Sequence, residues 1–202
     1  MPLTLHGHPQ SSSTRRVLLI LHEKKIPYDQ NGFSFTPSPR YPTSKTTGFI
    51  LYECRAIARY LVAAYPNDGP ALVPAAGAGV KAHAIFEQAM SVEAFNFEPI
   101  VGGILWERLY KQFAGLTPDE AQVSMLSEKL ETKLDGYERI LANSRYLAGD
   151  DLTLADLFHV PYITLFGAGN IDVLSNEEKA QKWPHVVRWA NELLQRDASK
   201  SI

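Results

Sequence analysis

The run His8-Pro9-Gln10-Ser11-Ser12-Ser13-Thr14 sets four hydroxyl side chains directly behind a turn, and Glu53-Cys54-Arg55 sets a carboxylate, a thiol and a guanidinium side by side. A hydroxyl held where a helix begins can donate to an anion, and the positive end of that helix adds a favourable field. A carboxylate in such a place can pair with an ammonium group, while amides at the helix start receive a carboxylate. By residue type alone, the Ser/Thr cluster is also the composition of a turn and cap. Glu53 is equally an N-terminal carboxylate favoured by the dipole, and Cys54 a small buried apolar residue. Cys54 is the single cysteine, which excludes an internal disulfide framework, and no cluster of Cys and His has metal-ligand spacing. His8, His22 and His159 lack partners nearby in sequence and read as surface or packing residues.

The elements that must position these residues are legible in the pattern. Leu3 to Leu5 alternates apolar and polar and runs into His6, Gly7, His8 and Pro9, which predicts a short strand ending in a turn. Ser13 or Thr14 can cap a helix whose apolar face is Val17, Leu18, Ile20 and Leu21, closed by Lys24, Lys25 and Pro27. Periodicity vanishes from Asp29 to Thr47, where three prolines and many hydroxyl residues read as loop or disorder. Gly48 to Tyr52 is strand-like, and Ala56, Ile57, Tyr60, Leu61 and Ala64 follow at helical spacing, so a second βα unit is expected.

Asn67 to Gly79 has the Gly, Pro and Ala content of a linker, and everything beyond reads as helical. Helices are expected near Val80 to Phe113, Pro118 to Ala142, Leu154 to Phe166 and Pro184 to Arg196, the first bent or broken around Pro99 and the Gly102, Gly103 pair. Thr153 and Asp156 form a capping box variant, with Leu152 and Leu157 at hydrophobic staple positions. These are folding signals, and Asp156 is assigned to structure.

A net charge of −2, from 20 Lys plus Arg against 22 Asp plus Glu, gives no electrostatic footprint for nucleic acid or an anionic membrane. No stretch approaches about 18 apolar residues and no targeting pattern opens the chain, so a cytoplasmic protein acting on a small molecule or a protein partner is expected.

Three segments, HPQSSSTRRVLLILHEKKIPY, FILYECRAIARYL and YLAGDDLTLADLFHVPY, occur in this order. Together they resemble glutathione transferases, closest to the phi class and its fungal relatives, over nearly all of the chain outside Asp29 to Thr47. The resemblance implies an α/β thioredoxin-like N-terminal domain over residues 1–68, truncated and irregular at 29–47, that holds glutathione. It also implies an all-α C-terminal domain over residues 78–202 that shapes the electrophile pocket. The implied activity is detoxifying conjugation of reduced glutathione, the co-substrate, to a small hydrophobic electrophile by a homodimer without a metal.

Carried over residue by residue, the resemblance makes Ser11 the thiolate-stabilising hydroxyl, with Ser12 or Ser13 as the alternative. Ser12, Glu53, Cys54 and Arg55 then fall among the glutathione-binding positions, Glu53 and Cys54 for the γ-glutamyl part; Arg55 by its own chemistry reads as structural. A free thiol with a pKa near ~8.5 is mostly protonated at neutral pH. Lowering it by about two units corresponds to about 2.7 kcal/mol, within reach of one charge-assisted hydrogen bond and a helix terminus. Cys54 stands where the family has serine, and a thiol is the weaker donor, so weaker glutathione binding is expected. Phe95, Phe97, Trp106, Tyr110 and Phe113 mark the region of the electrophile pocket, though aromatics at helical spacing are also plain core.

Between Tyr28 and Gly48 the family carries a strand, a helix and a Val-Pro pair in a cis peptide; no Val-Pro pair occurs there, so the front domain is expected to be short of one element. Read one nucleotide out of frame, codons allowed for PSPRYPTSKTT can spell Phe-Ala-Gln-Val-Pro-Tyr-Ile-Glu-Asp-Asp. An out-of-frame reading of this segment is the hypothesis that follows. Two functional readings stand side by side: a transferase, supported by HPQS and YEC, and a non-catalytic relative, supported by the missing Val-Pro loop and Cys54. The second would carry apolar ligands or serve as a dimerisation module, like the transferase-like domain of a translation elongation factor subunit.

Overall fold

The structure, a computed structural model, describes residues 3–30 and 50–202. Strand β1 (Leu3–Leu5), helix α1 (Ser12–Glu23) and strand β2 (Tyr28–Gln30) form a βαβ unit, with β1 and β2 parallel and Leu3 opposite Tyr28. Asp29 and Gln30 therefore belong to a strand, a correction to the loop expected from residue 29 onwards. Three paired residues are too few to show a period, and the pairing partner alone defines them. The rest of that segment, with the missing Val-Pro loop and the out-of-frame hypothesis, lies outside the described residues. Ile50 to Tyr52 are in no strand among the described residues, against expectation, and the first two residues of the expected Gly48 to Tyr52 strand lie outside the described residues.

Helix α2 (Cys54–Ala64) packs against α1. The residue pattern assigns α1 one apolar face, yet Thr14, Arg16, Leu19 and Glu23 are buried as well, because helical elements cover its other sides. Residues 79–113 run as one continuous helical stretch: α3 (Gly79–Val92), a π turn (Glu93–Phe97), α4 (Glu98–Leu105), a second π turn (Trp106–Tyr110) and α5 (Lys111–Phe113). The expected break at Pro99 is replaced by the first π turn. Pro99 comes just after it, at the second residue of α4, and a widened turn accommodates a residue that has no amide to donate.

Helix α6 (Glu120–Leu141) is capped by Asp119, whose carboxylate accepts from the amides of Ala121 and Gln122. The single helix expected from Leu154 to Phe166 is two short ones, α7 (Leu154–Leu157) and α8 (Val160–Ile163), since Pro161 cannot supply the amide that would continue the ladder. Both halves of the capping box are in place at α7. The buried Asp156 carboxylate accepts from the Thr153 amide and hydroxyl, the Leu147 amide and Trp189 Nε1. Helices α9 (Glu177–Lys182), α10 (Pro184–Gln195) and α11 (Asp197–Lys200) complete the fold, and α11 returns to α1, where Arg196 pairs with Glu23.

The linker-like stretch is fastened at three points. A side chain at Gly69 would collide with the Glu23 carbonyl, Lys24 Nζ donates to the Pro70 carbonyl at 3.0 Å, and the Leu154 amide donates to the Leu72 carbonyl at 2.9 Å. Leu72 is buried with φ 61, a conformation that an L side chain adopts only when its surroundings impose it.

Candidate functional site

Two helix starts face a shared group of charges. Ser11, and not Ser13 or Thr14 as expected, is the N-cap of α1, extended at φ −73 and ψ 125, and its side chain does not cap its own helix; the helix starts two residues earlier than its apolar face indicates. Its amide donates to the His8 carbonyl at 3.0 Å, which closes the turn, and Arg15 Nε secures the Pro9 carbonyl at 2.9 Å. Gly7 is required here, because a Cβ would collide with Thr14 Oγ1. Glu53, exposed, is the N-cap of α2 at φ 71 and likewise does not cap its helix. A non-glycine residue held at positive φ costs of order 1–3 kcal/mol and persists where the surroundings over-determine it.

The Cys54 thiol is buried, with Arg16 Nη1 4.0 Å from its sulfur. Arg16, fully buried, also donates from Nη2 to Glu93 Oε1 at 2.6 Å, from Nη1 to Glu98 Oε1 at 3.2 Å and from Nε to the Phe158 carbonyl at 3.1 Å. Arg55 binds the same two carboxylates, Glu93 at 2.7 Å and Glu98. Tyr162 donates its hydroxyl to Glu98 at 2.9 Å and accepts from Ser12 Oγ at 3.3 Å. Ser12 and Arg55, from two different helix starts, are thus brought to one carboxylate, that of Glu98.

Two guanidiniums and two carboxylates balance, which is what permits burial. Burial works against the charge on Arg16, but Glu93 and Glu98 outweigh it and raise its pKa. Burial pushes the Glu93 carboxyl up against the pull of both arginines, whereas at Glu98 the arginines overcome burial and hold it below the usual range. Burial pushes the Tyr162 phenol up to about 12, so it stays protonated and donating.

A family profile described as Glutathione S-transferase, C-terminal domain, matches residues 97–197. Glutathione S-transferase F7 of Arabidopsis thaliana is 32% identical over 213 residues, covering 99% of this chain and 98% of its own. The chain belongs to the glutathione transferase family. A second Arabidopsis thaliana relative, Glutathione S-transferase PM239X14, is 42% identical over 142 residues, which are 70% of this chain and 62% of that one. Among solved structures, glutathione S-transferase I from mais in complex with an atrazine glutathione conjugate superimposes with a TM-score of 0.84 at 29% identity, covering 100% of this chain and 96% of the other. The phi-like assignment and the two-part transferase fold read from the sequence therefore hold, and its relatives are enzymes.

In this transferase the residues that sequence reasoning missed are Arg16, Glu93, Glu98 and Tyr162. Arg16 and Ile20 lie on one face of α1 four residues apart, and a charge in an apolar stripe demands a partner. That demand was legible; the identity of the partner, 77 residues away, was not. Of the aromatic candidates, Phe97 is core, 4.3 Å from the His159 ring, while Phe95 and Phe113 are 78% and 75% exposed and Trp106 is half exposed. Tyr110 packs partly buried against the core. A cavity of about 420 Å³ lies elsewhere, between α2, the linker and α3, lined by Val62, Val73 and Phe86. None of Ser11, Ser12, Glu53 or Cys54 lines it, so the helix starts, and not this cavity, are the candidate site.

Among the described residues no group of His, Cys, Asp and Glu is arranged to hold a metal, and no helix is long and apolar enough to cross a membrane.

Proposed function

We propose that this transferase conjugates reduced glutathione, as co-substrate, to small hydrophobic electrophiles. The observation that carries the reading is the convergence of two helix starts, through Ser12 and Tyr162 on one side and Arg55 on the other, upon Glu98. Each start presents unsatisfied amides and a positive dipole end, and together they suit a tripeptide bearing a thiol at one end and a carboxylate at the other.

Ser11, with no capping duty, donates its hydroxyl to the thiolate sulfur, and the α1 terminus adds its field. The sulfur attacks the electrophilic carbon and forms the C–S bond; the displaced electron pair leaves with the departing group, and the thiol proton passes to solvent. Glu53 pairs with the glutathione ammonium, and the α2 amides with Cys54 receive the neighbouring carboxylate. Ser12 and Arg55 act from behind, by holding the two helix starts against the helical domain. The complex of the mais enzyme with an atrazine glutathione conjugate supports this substrate class. In the same reading residues 1–68 hold glutathione and residues 78–202 shape the electrophile pocket. The protein works as a cytoplasmic homodimer in detoxification, and exposed apolar residues along 79–113, such as Val80 and Phe95, suit the dimer.

Retention on immobilised glutathione, followed by conjugation assays on the chain and on Ser11→Ala, tests the proposal. Binding with turnover that Ser11→Ala abolishes is the expected result. Binding without turnover would favour the non-catalytic carrier, a reading for which Cys54 in the serine position speaks.

A further inference from the structure

The Ser12–Tyr162 and Arg16–Phe158 hydrogen bonds tether α1 to the α7–α8 segment at two points a single helical turn apart. Ser12 and Arg16 are four residues apart on α1, and Phe158 and Tyr162 are four residues apart across the α7–α8 junction. Arg16 Nε grips the Phe158 carbonyl, and Ser12 Oγ donates to the Tyr162 hydroxyl. The Arg16 guanidinium also lies over both rings, 5.7 Å from that of Phe158 and 5.1 Å from that of Tyr162. The lower tether fixes the body of the helix. The upper one reaches the residue next to Ser11, and on this side it ends on Glu98, which two arginines hold in place.

Gly102 on α4 faces Tyr162, and even an added Cβ there would be in ordinary van der Waals contact, 3.7 Å from its Cε1 and its hydroxyl oxygen. The phenol is buried, so its hydroxyl has a fixed direction rather than a swinging one. A hydroxyl fixed in this way can hold a neighbouring helix turn to within the few tenths of an ångström that a charge-assisted hydrogen bond requires.

We propose that Tyr162 is a positioning residue for the thiolate site: through Ser12 it locks the first turn of α1 so that the Ser11 hydroxyl and the first amides stay aimed at the sulfur. The proposal rests on the transferase reading above. It assigns no proton transfer to Tyr162, whose hydroxyl is engaged by Glu98. Tyr162→Phe keeps the ring, the cation contact and the packing, and removes only the link between Glu98 and Ser12.

The test is the titration of protein-bound glutathione, followed by the ultraviolet absorbance of the thiolate from about pH 6 to about pH 9, alongside conjugation rates over the same range. In the full chain, Tyr162→Phe is expected to raise the bound thiol pKa by about half a unit to one unit, which lowers kcat roughly three- to tenfold at the acid end and much less at the alkaline end. KM for glutathione should change little. Ser12→Ala should give the same shift, and the double variant should be no worse than either single one. A thiol pKa left unmoved by Tyr162→Phe, with only the melting temperature lowered, would overturn the proposal and leave Tyr162 a packing residue. Absence of any bound thiolate in the unaltered chain is a different result; it would remove the transferase reading and this inference with it.

Discussion

Arg16 and Glu93 form an ion pair of 2.6 Å in which both side chains are wholly shielded from solvent. It links the centre of α1 to the first π turn, and Arg55 shares the same carboxylate from α2. Removing one member of such a pair leaves an uncompensated buried charge. Glu93→Leu leaves two guanidiniums to the single carboxylate of Glu98, one positive charge uncompensated, and is expected to destabilise the fold by about 3–5 kcal/mol. Urea unfolding followed by circular dichroism measures this, and Arg59→Ala, whose partner Glu87 is exposed, should shift the midpoint by well under half as much.

Stability should fall as the medium is acidified because of His159. Its ring is fully buried, with Nδ1 2.7 Å from the Ala155 carbonyl and Nε2 2.9 Å from the Tyr137 hydroxyl, the pattern of a neutral Nδ1–H tautomer that donates to the first and accepts from the second. Burial lowers its pKa to about 3. In the unfolded chain it titrates near the ordinary histidine value of about 6.5, so below that pH the unfolded state alone binds the proton. The folded state then loses about 1.4 kcal/mol per pH unit as pH falls from about 6.5 towards the folded value. Unfolding free energies at a series of pH values check the slope, and His159→Asn should flatten it while lowering stability throughout.

Asp156 gathers the Leu147 amide, the Thr153 amide and hydroxyl, and the Trp189 indole. Asp156→Ala orphans all of them in the core and is expected to cost about 3 kcal/mol or more, with soluble expression lost at elevated temperature. Asp156→Asn, which keeps an acceptor, should be milder in a thermal melt.

Cys54 offers a weak S–H donor at the position where the resemblance leads one to expect a serine hydroxyl. If it contacts glutathione as proposed, Cys54→Ser should tighten glutathione binding by a few-fold, about 0.5–1.5 kcal/mol by calorimetry, with little change in melting temperature. Unchanged or weaker binding by Cys54→Ser would remove Cys54 from the site.

Much of the fold was readable because its signals are local. The Ser/Thr run behind His8 and Pro9, the Thr153 and Asp156 cap and the apolar periods of α1, α2, α6 and α10 each lie within a few residues of the element they define. What escaped was non-local or short. β2 is a strand only by virtue of β1, and α9 and α11 are too brief to show a period. The Leu154 to Phe166 helix was read through Pro161, whose missing amide divides it. At the site, the turn and Glu53 at the start of α2 were legible, while the α1 cap is Ser11 where Ser13 or Thr14 was expected. The charge group behind them was not, since Arg16, Arg55, Glu93, Glu98 and Tyr162 converge only after folding.

The fastening of residues 69 to 72 bears on how the two halves are held together. A peptide rich in Gly, Pro and Ala invites the picture of a pivot about which the two halves swing apart. Here that peptide is bolted to the end of α1 on one side and to the beginning of α7 on the other, so swinging would break the Lys24–Pro70 and Leu154–Leu72 bonds together. The stretch is therefore a brace between the two halves and not a pivot, and it ties the far end of the first helix to the start of the Asp156 helix.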